Sequence, residues 1–192
     1  MTSLAAPLYI VTGVLALAGV AKALRPTATA TALRALRVPQ PMAATRLLGV
    51  VEVVVSVAAV ITGAALFWAG IAAAYAVFAA FILWALSGNQ DVASCGCFGH
   101  EDTPPTPGHL AFNAAAAAIA TLAIFEPVAL SDFDGTAFEA VLAVGMIGAA
   151  IALSIAALTV LPRTLSLARG TAAPIVPNFS IEKPSRITQG PS

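Results

Sequence analysis

The sequence predicts an all-α integral membrane protein with about five transmembrane helices. Of the 192 residues, 59% are hydrophobic and 9% are charged, and the mean hydropathy is +0.93. A soluble domain is typically about 45–50% apolar and about 25% charged. Nine basic residues balance nine acidic ones, so the chain lacks the net positive field that attracts phosphates. The composition argues against a soluble enzyme, a disordered chain and nucleic-acid binding, and it makes the lipid bilayer the expected surroundings.

Five apolar stretches have about the length of a membrane-spanning helix, which needs roughly 20 residues. A transmembrane barrel would instead show alternating polar and apolar residues in units of about 10 residues, and the chain lacks that pattern. The first stretch carries no Lys or Arg before Lys22, unlike a signal peptide, and is therefore expected to be a retained helix. The predicted spans are residues 4–24, 43–63, 66–86, 110–125 and 138–161.

The distribution of charge predicts an orientation in the membrane. Cytoplasmic segments collect Lys and Arg. All nine basic residues lie either between the first two spans and at their adjoining ends, or after the fifth span. The N-terminus is therefore expected outside, and the C-terminus in the cytoplasm. The basic residues are Lys22, Arg25, Arg34, Arg37 and Arg46 in the first segment, and Arg163, Arg169, Lys183 and Arg186 in the tail; Glu126, Asp132, Asp134 and Glu139 lie between the last two spans.

Two shorter segments flank or separate the spans. Residues 27–37 read either as a short interfacial helix with its arginines toward the headgroups or as a plain loop. Residues 171–192 carry four prolines among polar residues and are expected to be extended or disordered.

The two cysteines, Cys95 and Cys97, are separated only by Gly96. A disulfide in so small a ring is strained, and strained disulfides tend to be labile or catalytic; because stabilisation grows with loop length, such a bond would add little stability. Alternatively, the two thiolates with His100 and His109 could hold a soft ion such as Cu(I) or Zn(II). The third interpretation is a pair of inert thiols in a tight turn.

The segment after the cysteines has the capping residues of a helix N-terminus. Thr106 is a candidate N-cap, with Pro107 in the first turn. His109 and Asn113 are four residues apart and therefore share one helix face. His109 could lower a thiol pKa or transfer a proton, or it could simply be a polar interface residue that caps the helix.

Glu52 lies inside an apolar span and needs a partner. An ionised carboxylate at the centre of a membrane helix costs on the order of 2.5–3.5 kcal/mol. Lys22 and Arg46 are the candidate cations, and a structural pair and a proton-handling role are both open. The aromatic residues of the spans are expected to anchor the helices at the membrane interface or to pack inside the bundle. They are Tyr9, Trp68, Tyr75 and Trp84.

These features together resemble the MauE/DoxX group of small bacterial membrane proteins. The resemblance covers roughly residues 4–130. It includes Gly19-Val20-Ala21-Lys22 and the proline after it, Glu52, Cys95-Gly96-Cys97-Phe98-Gly99, and Asn113. An arginine often precedes that asparagine in the family, whereas this chain has Phe112.

The resemblance implies thiol–disulfide exchange with a thioredoxin-like protein or a disulfide-containing client. Cys95 and Cys97 would be the exchanging pair, and Lys22, Glu52 and Asn113 would be supporting polar groups. No cofactor follows from the residues, while the resemblance adds a membrane quinone as a candidate. Whether the chain is itself an oxidoreductase or an accessory subunit stays open. The alternative is a non-enzymatic membrane subunit that binds a soft metal or scaffolds a partner complex.

The expected organisation is a four-helix MauE/DoxX-like core over residues 1–130, an added helix within 131–165 and a polar tail over 166–192. The charge pattern places the cysteine loop on the cytoplasmic side, although disulfide formation for secreted proteins takes place outside the cytoplasm.

Overall fold

The structure, a computed structural model, describes residues 5–88, 105–126, 128–130 and 135–160. Within these ranges every regular element is a helix, and five of the six helices are long and apolar enough to cross a membrane. The predicted all-α membrane fold is confirmed, and the protein is a multi-pass membrane protein. The helices are α1 (Ala5–Leu24), α2 (Thr27–Ala35), α3 (Pro41–Thr62), α4 (Ala65–Leu86), α5 (Pro107–Phe125) and α6 (Ala137–Thr159), of which α2 is the short one.

The start of α5 lies three residues before the predicted start of the fourth span. Thr106 is extended and caps the helix, its hydroxyl accepting a hydrogen bond from the His109 N–H, and Pro107 occupies the first turn. Since a proline has no N–H to satisfy there, Pro107 is compatible with the helix start. The helix therefore has 19 residues and reaches a spanning length without any residues beyond Phe125.

The segment between the first two spans forms the helix α2. Its small residues Ala28 and Ala30 are buried, whereas Arg34 is exposed, and the helix packs on α3. Of the two interpretations of residues 27–37, the short helix is therefore the one that the structure adopts.

The core lies between α1, α4 and α5. Leu8, Trp68, Ile71 and Ala120 are fully buried there. The main pairings are α1 with α3 and α4 with α5, and α3 joins the two pairs. Helix α6 packs mainly on α1 and buries none of its own residues, so its apolar surface is left for the membrane.

The five spans cross the membrane in alternating directions. One end of the bundle, called here the polar end, therefore contains the ends of α1, α4 and α6 and the starts of α3 and α5. The position of α4 is set by Tyr75, whose hydroxyl donates to the Val11 carbonyl at 2.5 Å, and by Phe78, which lies next to Lys22.

Helices α1 and α3 approach each other closely through two glycines. A Cβ added at Gly19 would lie 2.6 Å from the Gly49 carbonyl oxygen and 3.0 Å from the Glu52 Cβ. A larger side chain at Gly19 would push α3 away, and so would one at Gly49. Small residues permit this kind of backbone approach in membrane bundles.

We expect Gly19→Ala to destabilise the bundle by about 1–3 kcal/mol, because it overpacks this contact. Gly145→Ala is the matched control, since nothing lies within 4 Å of a Cβ at Gly145 on α6, and it should be neutral or stabilising by up to about 1 kcal/mol. Unfolding of both variants in mixed micelles measures the difference. Equal stability of the two variants would contradict the close contact.

Candidate functional site

A buried ion pair joins α1 to α3. The Lys22 Nζ donates a hydrogen bond to the Glu52 Oε2 at 2.8 Å, and the two side chains are 1% and 2% exposed. Arg46, the other candidate partner of Glu52, is exposed. Each charge is thus compensated inside the bundle, as an apolar membrane interior requires.

The lysine has a second neighbour on α4. Its Nζ lies 4.5 Å from the centre of the Phe78 ring, within the range of a cation–π interaction. The second carboxylate oxygen, Glu52 Oε1, has no hydrogen-bond partner among the described residues. The ion pair therefore connects α1, α3 and α4. Glu52 Oε1 remains available as a hydrogen-bond acceptor.

His109 is folded back onto the cap of α5. Its Nδ1 lies 2.7 Å from the Thr106 Oγ1, and its backbone N–H donates to the same oxygen at 3.3 Å. The Asn113 Nδ2 donates to the His109 carbonyl at 2.7 Å. Both side chains are buried, His109 with 1% exposure, so His109 faces the bundle interior rather than the membrane surface.

Lys22, His109 and Asn113 line one small cavity. Its free space is about 20 Å³, which is enough for about one water molecule. Four helices supply its walls, and Leu158 in the last turn of α6 closes one side. The lining residues are Val14, Leu15, Ala18, Lys22, Tyr75, Phe78, His109, Phe112, Asn113 and Leu158.

The predicted site residues divide into two groups. The structure brings Lys22, Glu52, His109 and Asn113 together in the half of the bundle that contains the polar end. Cys95 and Cys97 lie outside the described residues, as does His100. The described chain leaves α4 at Gly88 and resumes at Pro105, one residue before the α5 cap. The cysteines thus belong to the connection that joins α4 to α5 at this end.

The aromatic residues of the spans mainly pack. Trp68 is fully buried, and Tyr75 is 2% exposed and makes an edge contact with Phe112, with ring centres 6.1 Å apart. Tyr9 donates to the Ala129 carbonyl at 3.1 Å, and Trp84 lies 5.8 Å from the Phe81 ring.

Sequence reasoning missed the face of α3 that carries Glu52. Small and polar residues recur there at helical spacing, and that spacing was the available signal. The buried residues of this face are Thr45, Gly49, Glu52, Ser56 and Ala59. Within the described ranges, no three His, Cys, Asp or Glu side chains lie close enough together to hold a metal ion.

Five apolar helices around a buried ion pair define a polytopic helical membrane protein with a polar site at one end. The family model described as methylamine utilisation protein MauE matches residues 1–126, and the chain belongs to the MauE family. No curated protein and no solved structure matches the chain.

Loss of one partner of the ion pair should be costly. We expect Lys22→Met or Glu52→Leu alone to destabilise the bundle by about 3–5 kcal/mol, because each leaves an unpaired buried charge. The double variant should recover most of that loss. Arg46→Met is the control and should stay within about 0.5 kcal/mol of wild type. A double-mutant cycle of unfolding free energies measures the coupling; additive losses would mean that the pair is not coupled.

Proposed function

We propose that the protein is a membrane-embedded thiol–disulfide redox protein, in which Cys95 and Cys97 exchange electrons with a thioredoxin-like protein or a disulfide-containing client. The observation that carries the proposal is the polar site itself. Four buried polar side chains of a MauE-family chain gather in the half of the bundle that contains the polar end, where the connection with both cysteines begins and returns.

The exchange is a two-electron reaction. The thiolate of one cysteine attacks a partner disulfide and forms a mixed disulfide. The second cysteine then attacks the mixed disulfide and releases the partner as a dithiol. The Cys95–Cys97 dithiol loses two electrons and two protons, and the partner disulfide gains both. In the opposite direction the same steps reduce the Cys95–Cys97 disulfide.

The polar site would support this chemistry from inside the bundle. A cation near a thiol favours the thiolate, which is the reactive form. Lys22, held by Glu52, is a fixed cation at this end, and the buried His109 and Asn113 fix the start of α5. In this proposal the protein acts as an oxidoreductase or as the accessory subunit of one, and a membrane quinone is the candidate acceptor of its electrons.

We further propose that residues 1–130 form the functional core, that 131–165 add one helix and that 166–192 form a polar cytoplasmic tail. The basic residues near the polar end support an inner-membrane orientation with this end in the cytoplasm. In that orientation, the redox partner would be a cytoplasmic thioredoxin-like protein.

Thiol trapping in intact cells tests the redox proposal. We expect a fraction of Cys95 and Cys97 to resist maleimide until a reductant is added. Cys97→Ser should abolish function, leave the protein folded and accumulate a mixed disulfide with the partner, since the second thiol is missing. Ser94→Ala is the matched control and should behave as wild type.

Two results would contradict the redox proposal. One is a Cys97→Ser protein that keeps its function, and the other is a wild-type protein in which no disulfide is trapped under any condition. The metal-or-scaffold alternative would then take its place. In that case metal content should fall in the Cys95→Ser/Cys97→Ser variant, or a partner should be lost when residues 171–192 are deleted.

Single cysteines in the Cys95→Ser/Cys97→Ser background test the orientation. Thr31 on α2 and Glu126 after α5 are both exposed and lie at opposite ends of the bundle. We expect a membrane-impermeant maleimide to label Glu126→Cys in intact spheroplasts and to leave Thr31→Cys unlabelled until the cells are opened. The reverse pattern would place the polar end outside.

A further inference from the structure

We propose that Thr106, His109 and one water molecule in the cavity form a proton path from the polar end to the buried Lys22–Glu52 pair. The path is built from described residues alone. Its use in thiol chemistry rests on the function proposed above.

The imidazole of His109 is placed to pass a proton from one nitrogen to the other. The Thr106 Oγ1 already accepts the His109 backbone N–H, so its own hydroxyl proton is free to point at Nδ1, 2.7 Å away. With Nδ1 as the acceptor, the neutral ring carries its proton on Nε2. A proton that enters at Nδ1 and one that leaves from Nε2 give net transfer through the ring.

His109 lines the same cavity as Lys22. The side chain of His109 is 1% exposed, and Nε2 has no hydrogen-bond partner among the described residues. The Leu158 backbone lies near the ring, outside hydrogen-bond geometry. A buried polar atom beside a space of water size is normally satisfied by a water molecule. Lys22 and Asn113 also line this space.

The outer end of the path is open. Thr106 is half-buried, and the next two residues, Pro107 and Gly108, are exposed. At the inner end, Lys22 Nζ donates to the Glu52 Oε2 at 2.8 Å. Because an ammonium has no lone pair to accept a proton, the Nζ proton moves to the carboxylate first, and the neutral amine that this leaves then accepts a proton from the water. Among the described residues, the titratable side chains on or next to the cavity are Lys22, Glu52, His109 and Tyr75, whose hydroxyl is bonded to the Val11 carbonyl.

The transfer balances in charge. A thiol that gives its proton to the path becomes a thiolate, and Glu52 becomes a neutral carboxylic acid. Lys22 stays an ammonium and becomes the counter-charge of the thiolate, so the total charge is unchanged. The path therefore generates the nucleophile of the exchange reaction at unchanged total charge, and the buried Lys22 ammonium lacks its ionised partner until the thiolate is consumed and the proton returns to the path.

Hydrogen exchange at Lys22 measures the path directly. The chain has only two lysines, Lys22 and Lys183, so ¹⁵N-lysine labelling of the full-length protein in nanodiscs gives two side-chain signals, and Lys183→Arg assigns them. After transfer to D₂O, the isotope shift of the Lys22 ¹⁵Nζ reports exchange of its protons.

Thr106→Ser and Thr106→Asn form the matched pair. Both residues are good N-caps, but only serine keeps a hydroxyl that passes a proton. We expect wild-type exchange in Thr106→Ser, and exchange slower by on the order of 10²-fold in Thr106→Asn and His109→Gln, the scale of a lost proton-transfer group. Wild-type circular dichroism of each variant establishes that it is folded.

Two outcomes overturn the path: equal exchange in all variants, or no exchange at Lys22 in the wild type. The Cys95→Ser/Cys97→Ser variant should exchange like wild type. The path and the thiol function therefore fail separately, because this readout does not involve the cysteines.

Discussion

The Lys22–Glu52 ion pair is the constraint around which the rest of the bundle is arranged. A lone charge inside an apolar membrane protein is costly, so each of these residues requires the other. A separation of 2.8 Å in turn requires the backbones of α1 and α3 to come close. Gly19 and Gly49, which lie one turn from the charges, make that approach sterically possible. The Gly19–Lys22 segment thus combines the close contact and the charge in one helical turn.

The ion pair also determines where polar chemistry is available in a chain that is otherwise apolar. Phe78 on α4 faces the lysine, and the capped start of α5 brings His109 to the same cavity. Because α4 ends and α5 begins at the polar end, the buried charges lie in the same half of the bundle as the two points where the α4–α5 connection leaves and rejoins the described chain. A site assembled in this way needs few polar residues, which agrees with a composition of only 9% charged residues.

The elements that the sequence predicted well are those governed by hydrophobic length and by the cost of charge. Apolar runs defined five spans, and the scarcity of cations reduced the partners of Glu52 to Lys22 and Arg46. The apolar run of the fourth span begins only at Leu110, because Pro107, Gly108 and His109 are not apolar. Capping residues gave the helix start correctly, since the structure confirms Thr106 as the N-cap and Pro107 in the first turn. The cavity was not predictable, since Phe78, Phe112 and Leu158 come together only through helix packing. The α2 pattern was too short for periodicity to distinguish a helix from a loop.

Helix α6, which lies outside the family match, forms one wall of the cavity. The MauE match ends at residue 126, whereas Leu158 closes the cavity from the last turn of α6. The polar groups lie on α1, α3 and α5, within the matched region. The closure of the site against lipid and water depends in part on a helix outside that region. Because a closed, low-dielectric site strengthens every electrostatic interaction within it, α6 influences the ion pair and His109 without contributing a polar side chain to the cavity.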